Sequence, residues 1–307
     1  MLVVIALGGN ALLRKKDSGH PEEQWRNVSL AAEQLAEIAR EGISLVITHG
    51  NGPQVGYLLE AFESLPASKP RQSLDIAVAM TQGWIGYLLQ HSLSKYLAKL
   101  RVRRDVVSIV TRVVVDKNDP AFTNPTKFVG SYYSREEAER LSREKGWIMR
   151  PDPRGGWRRV VPSPRPIDIV EKNVIRSLAL NGVITVAVGG GGIPVDKDLT
   201  PVEAVIDKDL ASSLLARLID ADRFVILTDV PGIAIDYGKP TQRWLREISK
   251  DELKELYEKG LFPPGSMGPK VKAIIEYVEH TGNTAVIGAL EEASRVYRLE
   301  SGTIIYP

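Results

Sequence analysis

Short apolar runs alternate with longer segments of helical period along most of the chain. Runs at 2–7, 43–48, 105–115, 183–188, 223–228, 284–288 and 302–306 are rich in Val, Ile and Leu. Most lack polar alternation, as expected for strands covered on both faces. Between them lie helical patterns. Residues 27–41 are rich in alanine and leucine, with Gly42 as a stop. In 74–98, Ile76, Met80, Trp84 and Leu88 recur every four residues, with Ile85, Leu89, Leu93 and Leu97 beside them. That stripe is wide enough to predict a helix packed over most of its surface. Ser249–Glu252 reads "SKDE", a capping box opening a helix to about 259. A further helix carries Pro269 in its first turn and Val271, Ile274, Ile275 and Val278 on one face. The alternation predicts an α/β fold, a three-layer αβα sandwich on a mostly parallel open sheet.

One stretch breaks the rhythm. Residues 116–166 are rich in proline and charge and contain "DPRGGWRR". Tyr132, Tyr133, Trp147 and Trp157 favour an ordered small subdomain, inserted between a strand and the next helix.

Composition narrows the function. At 307 residues, the chain is long enough for one large α/β domain or two lobes. A net charge of +2 provides no global field for nucleic acid or an acidic membrane. There is no cysteine, so disulfides and thiolate metal sites are excluded and a reducing, cytoplasmic setting is expected. His20, His49, His91 and His280 are not spaced as a zinc site. The apolar start "MLVVIALGGN" lacks a basic lead and is too short to span a bilayer, so it reads as a first strand.

The chemistry gathers where strands end. Three apolar runs are followed by glycine clusters: Gly8 and Gly9 with Asn10; Gly50, Asn51 and Gly52, with Gly56; and the run Gly189–Gly192. Open α/β sheets bind ligands beyond the carboxyl ends of their strands, and bare backbone there offers N–H donors to anions. "GNGPQVG" resembles a dinucleotide fingerprint, but its third glycine falls one place late, and no P-loop motif is present. Three lysines sit at special places: Lys127 in "NPTKFVG", Lys208 in "VIDKDLAS" at a helix start, and Lys270 in "GSMGPKV". Compact cations beside glycine loops suit phosphoryl transfer, which needs mainly positioning and charge neutralisation. Asp207 is placed to cap the helix, and Asp209 to hold two ammoniums. Thr228, Asp229, Val230 and Gly232 end another strand and could wall a nucleotide site. His49, beside Gly50, is expected to shape its loop through one fixed tautomer.

Together "LGGNALL", "THGNGPQVG", "NPTKFVG", "RRVVPSPRP", "GGGGIPV", "VIDKDLAS", "TDVPG" and "SMGPKV" resemble the carbamate kinase branch of the amino acid kinase family. The segments span nearly the whole chain in the family's order. The resemblance implies an open sheet of about eight strands and a homodimer. It also implies reversible transfer of the ATP γ-phosphoryl group to carbamate, with Mg2+ carried by the nucleotide. It implies an N-terminal carbamate lobe (1–195, containing the insert) and a C-terminal nucleotide lobe (196–307). Gly8, Gly9, Asn10, Gly50, Asn51 and Gly52 match its substrate loops, with Gly190 and Gly191 joining them where the lobes meet. Lys127, Lys208 and Lys270 match its lysines around the phosphoryl group, and Asp209 its lysine-organising aspartate. Thr228, Asp229, Val230, Gly232, Met267 and Gly268, with Lys208 and Lys270, fall on its nucleotide side. Phe128 and Ser131 stand where the family commonly has prolines, so the loop carrying Lys127 is expected to be less rigid. A side chain at Gly190 or Gly191 is expected to block substrate while sparing the fold. The competing readings are a related kinase acting on another carboxylate or nucleotide monophosphate, a dehydrogenase, and an RNA-binding or regulatory protein resting on "LRVRRD" and "RGGWRR".

Overall fold

The computed structural model describes residues 1–12, 17–66, 68–153, 155–263 and 265–307; the side chains of Asn10 and Ala11 lie outside that description. In chain order the first elements are β1 (Leu2–Leu7), α1 (Gly9–Leu12), α2 (Pro21–Ala39), β2 (Ser44–His49), α3 (Gly52–Ser64) and α4 (Leu74–Lys99). Next come β3 (Val106–Ser108), β4 (Arg112–Val115), β5 (Lys127–Tyr133), α5 (Arg135–Lys145), β6 (Met149–Pro151) and β7 (Trp157–Val161). They are followed by β8 (Pro166–Ile169), α6 (Lys172–Leu180), β9 (Ile184–Val186), β10 (Ile193–Val195), α7 (Lys208–Leu218) and β11 (Arg223–Thr228). The chain ends with β12 (Ala234–Ile235), β13 (Arg243–Trp244), β14 (Glu247–Ser249), α8 (Lys250–Glu258), α9 (Met267–Thr281), β15 (Ala285–Ala289), α10 (Ala293–Tyr297) and β16 (Thr303–Tyr306).

The main sheet has eight strands in the order β14-β16-β15-β11-β1-β2-β9-β3, and only the β15–β16 pair is antiparallel. β1 runs near the centre, parallel to both β2 and β11, so one continuous sheet joins the two halves of the chain. Its side chains are fully buried, as its unbroken apolar sequence requires. One apolar cluster, with Phe224, Tyr277 and α7 and α9, covers one face of the sheet. Another, with α2 and α4, covers the other. Among the described residues no helix is long and apolar enough to cross a membrane.

Several expectations need correction. The run 105–115 is two strands in different sheets, since β4 pairs with β8 and β10. Between them the chain changes partner, from the Ile109 N–H on the Val186 carbonyl to the Ile193 N–H on the Thr111 carbonyl, and at the change the Thr111 N–H donates to Gln82 Oε1 at 2.7 Å. α2 starts earlier than predicted, at Pro21, because the Glu23 carboxylate accepts the N–H groups of Gly19 and His20. α4 has the predicted extent and buries most of the predicted stripe, but not Ile76 and Met80 at its start. Ala77, Val78, Thr81, Ile85, Leu88, Leu89, Leu93 and Leu97 face inward, while Ile76 and Met80 are more than 40% exposed.

The insert leaves through β4 and returns through the antiparallel β8. It folds as the sheet β5-β7-β6 with α5, a helix closed by the Ser134–Glu137 capping box and by Gly146 in a left-handed conformation. Val129 and Val161 pack with Val55, Leu59, Leu74 and Ile193, which seats the insert on α3 and α4. The Tyr133 hydroxyl donates to Glu63 at the far end of β5.

Candidate active site

Because β1, β2, β9 and β11 are parallel, their following loops meet at one edge of the sheet. There Gly9 lies against Gly50, such that a Cβ on Gly50 would come within 3.3 Å of the Gly9 Cα and 3.2 Å of Lys208 Cδ. The Gly8 N–H donates to the Leu227 carbonyl at 2.8 Å, tying the first loop to the end of β11. Among the described residues, chain neighbours and the local helix backbone aside, no atom lies within 4 Å of the position a Cβ would take on Gly9 or Gly52.

α7 brings the charges to this edge. Asp207 caps it, accepting the N–H groups of Asp209 (2.9 Å) and Leu210 (3.3 Å). Its first turn is pinned to β2, as Ser212 donates to the Lys208 carbonyl and shares a 2.6 Å hydrogen bond with Thr48. Asp209, 4% exposed, accepts from the Lys208 ammonium through one oxygen and from Lys270 through the other at 3.1 Å. Burial opposes ionisation of Asp209, but the two ammoniums outweigh it and hold its pKa below the usual carboxylate range. Burial, with the charge of Lys270, pulls Lys208 below the usual lysine range, against the attraction of Asp209. Lys127 approaches from the insert, its ammonium 3.5 Å from Asp207. Three lysines against two carboxylates leave the cluster one positive charge in excess, an environment suited to an anion.

A cleft of about 340 Å3 opens beside Lys270. It is lined by Gly8, Gly9, Thr228, Asp229, Val230 and Met267, which sequence reasoning named or neighboured, and by Ala234, Tyr237, Leu261, Phe262 and Pro263, which it did not. The latter come from "GIAIDYG" and "GLFPPG", where the signal was aromatic residues among turn residues rather than any motif. Tyr237 is braced edge-on by Trp244, with ring centroids 6.1 Å apart. Apolar and aromatic walls ending at a lysine suit a flat ring carrying a phosphate tail.

Some named glycines have internal reasons. The run Gly189–Gly192 is fully buried. A Cβ would strike His49 from Gly189, the Asn51 amide from Gly190, the Ile206 carbonyl from Gly191 and Val113 from Gly192. Gly190 and Gly191 also have positive φ, +67° and +92°. A side chain there disturbs the protein itself, which corrects the expectation that the fold would be spared. Gly232 packs on Thr303, and Gly268 on the Pro263 carbonyl, to which its N–H donates at 2.9 Å; neither lines the cleft. Lys127 starts a paired strand opposite Val161, not a loose loop, and Phe128 pairs with Val160. Asn51 precedes α3, and its side chain donates to Thr81 Oγ1 at 2.8 Å. The backbone of Asn10 lies in α1, and the rest of that residue falls outside the described part. His49 Nδ1 lies 2.9 Å from the Gly50 carbonyl, which makes it the protonated nitrogen; burial keeps the ring neutral, with a pKa of about 4.

The mostly parallel sheet, with glycine loops and a lysine–aspartate cluster at one edge, suits a phosphotransferase. The family model described as the amino acid kinase family matches residues 1–289. The chain belongs to the amino acid kinase family. Over its whole length it is similar to carbamate kinases. The one from Pyrococcus furiosus is 51% identical over 310 aligned positions, covering 99% of both chains. A crystal structure from Aeropyrum pernix K1 is 54% identical with a TM-score of 0.96, covering 100% of this chain and 99% of that one. The carbamate kinase from Giardia lamblia bound to AMP-PNP is 42% identical with a TM-score of 0.95, covering 99% of this chain and 98% of that one.

Proposed function

We propose that the protein is a carbamate kinase that transfers the γ-phosphoryl group between ATP and carbamate. The observation that carries this reading is the carboxylate of Asp209 holding Lys208 and Lys270 together where the glycine loops meet the apolar cleft. Full-length similarity to carbamate kinases supports the same reaction. The adenine nucleotide lies in the cleft, on the side of residues 196–307, with its phosphates toward Lys270. Carbamate lies toward Gly9, Gly50, Asn51 and Gly52, on the side of residues 1–195. Carbamate is already an anion, so its oxygen attacks the γ-phosphorus without a general base, and the P–O bond to ADP breaks in line. Backbone N–H groups and Lys127, Lys208 and Lys270 compensate charge that two anions would otherwise oppose.

Magnesium arrives on the nucleotide. Mg2+ commonly keeps phosphate oxygens and waters as ligands, with one or two carboxylates at most. Asp229 on the cleft wall suits that arrangement. When bound, the ion screens the phosphate charge. We also propose a cytoplasmic homodimer, for which the exposed row Ile76, Met80 and Tyr87 on α4 offers an apolar contact face. Light scattering tests the dimer.

The test of the reaction is ATP formation from ADP and carbamoyl phosphate, repeated with other acyl phosphates and with uridine diphosphate. Rapid turnover confined to carbamoyl phosphate and ADP is expected. Turnover of another phosphoryl donor in its place would move the assignment elsewhere in the family.

A further inference from the structure

Gln82 and Thr111 take no part in the charge cluster, yet both are buried, at 2% and 0% exposure. A buried amide is costly unless bonded, and Gln82 is fully engaged. Its Nε2 donates to the carbonyls of Thr111 at 3.2 Å and Gly189 at 3.1 Å, and its Oε1 accepts the Thr111 N–H at 2.7 Å. The Thr111 hydroxyl donates to the Ile109 carbonyl at 2.8 Å and accepts the Val188 N–H at 3.0 Å. Val188 has φ +53°, a left-handed conformation that a β-branched residue holds only when its surroundings force it. Its carbonyl accepts the Gly191 N–H at 3.1 Å. Thus the amide and the hydroxyl together fix the turn that starts the glycine run.

The neighbouring residue on α4 holds the second loop. Thr81 Oγ1 accepts the Asn51 amide and itself donates to the Val78 carbonyl at 2.7 Å. Gly190 in turn lies directly on the Asn51 amide. Adjacent residues of one helix therefore set two of the three substrate-edge loops, and the loops touch each other.

We propose that Gln82, acting with Thr111, is a positioning residue for phosphoryl transfer: it holds the Val188–Gly192 turn in register with the Asn51 loop. The inference rests on the carbamate kinase reading, because the loops matter only if the anions meet there. It predicts a loss in turnover rather than in nucleotide binding, because the nucleotide cleft is built from other segments.

The test uses full-length Gln82→Met, which keeps length and volume but loses the amide, and the pair Thr111→Val and Thr111→Ser. Each is measured as ATP formation relative to wild type, with ADP affinity by calorimetry and thermal stability alongside. Wild-type turnover tests the reading itself, and the ratios to wild type test this inference. A misplacement near 1 Å can cost about 10²-fold in rate. Gln82→Met is expected to lose about that much kcat while ADP affinity stays within about threefold, and Thr111→Ser to recover most of what Thr111→Val loses. Wild-type kcat in folded Gln82→Met overturns the proposal. So does a Thr111→Ser variant as slow as Thr111→Val. If Gln82→Met does not fold, the Thr111 pair decides.

Discussion

Replacing Asp209 by asparagine keeps the shape of the cluster and removes its organising charge. In the folded protein both carboxylate oxygens are occupied by ammoniums, with Lys208 and Lys270 side chains 14% and 15% exposed. Breaking a buried pair from one side typically costs about 3–5 kcal/mol, because the remaining charge is left uncompensated. With an unfolding entropy of about 2.1 cal/mol/K per residue, a chain of this length should then lose about 5–8 °C in Tm. The kinetic effect should be larger than the thermal one. Two lysines released from their anchor no longer meet the phosphoryl group in one geometry, and about 10²-fold in kcat is the expected scale. ADP affinity should fall far less than kcat, since the walls formed by Tyr237, Phe262 and Pro263 are untouched and only the Lys270 contact loses its anchor. A pH profile adds a second signature. Burial already lowers the Lys208 pKa, and Asp209 is the chief influence raising it. Without Asp209 the lysine loses its proton at lower pH, so the alkaline fall in activity should move toward neutrality. Coupled ATP formation across the pH range, with calorimetric ADP binding, measures all of this. A variant with kcat within threefold of wild type and an unmoved alkaline limb would refute the role given to Asp209.

Three further outcomes follow from the loops. His49 is neutral when folded, with a pKa near 4 against an ordinary 6.5, so the unfolded chain binds the extra proton between those values. Stability is complete above pH 6.5 and falls by about 3 kcal/mol as pH drops toward 4, at about 1.36 kcal/mol per pKa unit. In His49→Asn, which keeps a donor for the Gly50 carbonyl, urea melts should show a flatter pH slope; an unchanged slope would remove His49 as its source. Gly190→Ala should lose at least about 1–2 kcal/mol of stability from its left-handed backbone alone, with the Asn51 collision in addition; a wild-type Tm contradicts the packing described. Gly9→Ala and Gly52→Ala should stay within about 0.5 kcal/mol of wild-type stability while losing at least tenfold in kcat/KM, read from the same melts and coupled assay.

The fold was legible where the chain reports on itself locally. β1 and the Phe224–Leu227 centre of β11 are unbroken apolar runs because both faces of the central strands are covered, and the structure returns both strands with their predicted ends. The Ser249 capping box and Pro269 in the first turn of α9 are local chemistry and stand as read. What failed depended on neighbours distant in sequence. The break inside 105–115 is imposed by Gln82 across 29 positions, and no period within the run records it. Ile76 and Met80 continue an apolar spacing on α4, yet the core takes the adjacent face, which also holds Thr81 and Gln82. A hydrophobicity pattern discounts those two polar residues, although they hold the loops.

The glycines show the same division more sharply. From sequence alone, a bare backbone at a strand end means that something comes close, without saying what. In the run Gly189–Gly192, it is the protein: His49, Asn51, Ile206 and Val113 occupy the space where each side chain would stand. At Gly50 it is the neighbouring loop and the stem of Lys208. Of the glycines named for substrate, only Gly9 and Gly52 meet no packed atom of the described residues in that space and have no left-handed backbone to require glycine. Nothing among the described residues requires glycine at these two positions, which leaves a ligand as the explanation to test. Alanine separates the cases, because a ligand explanation demands lost turnover in a protein of unchanged stability. A fully active Gly9→Ala would show that the first loop tolerates a side chain, and would shift the substrate toward Gly50 and Asn51.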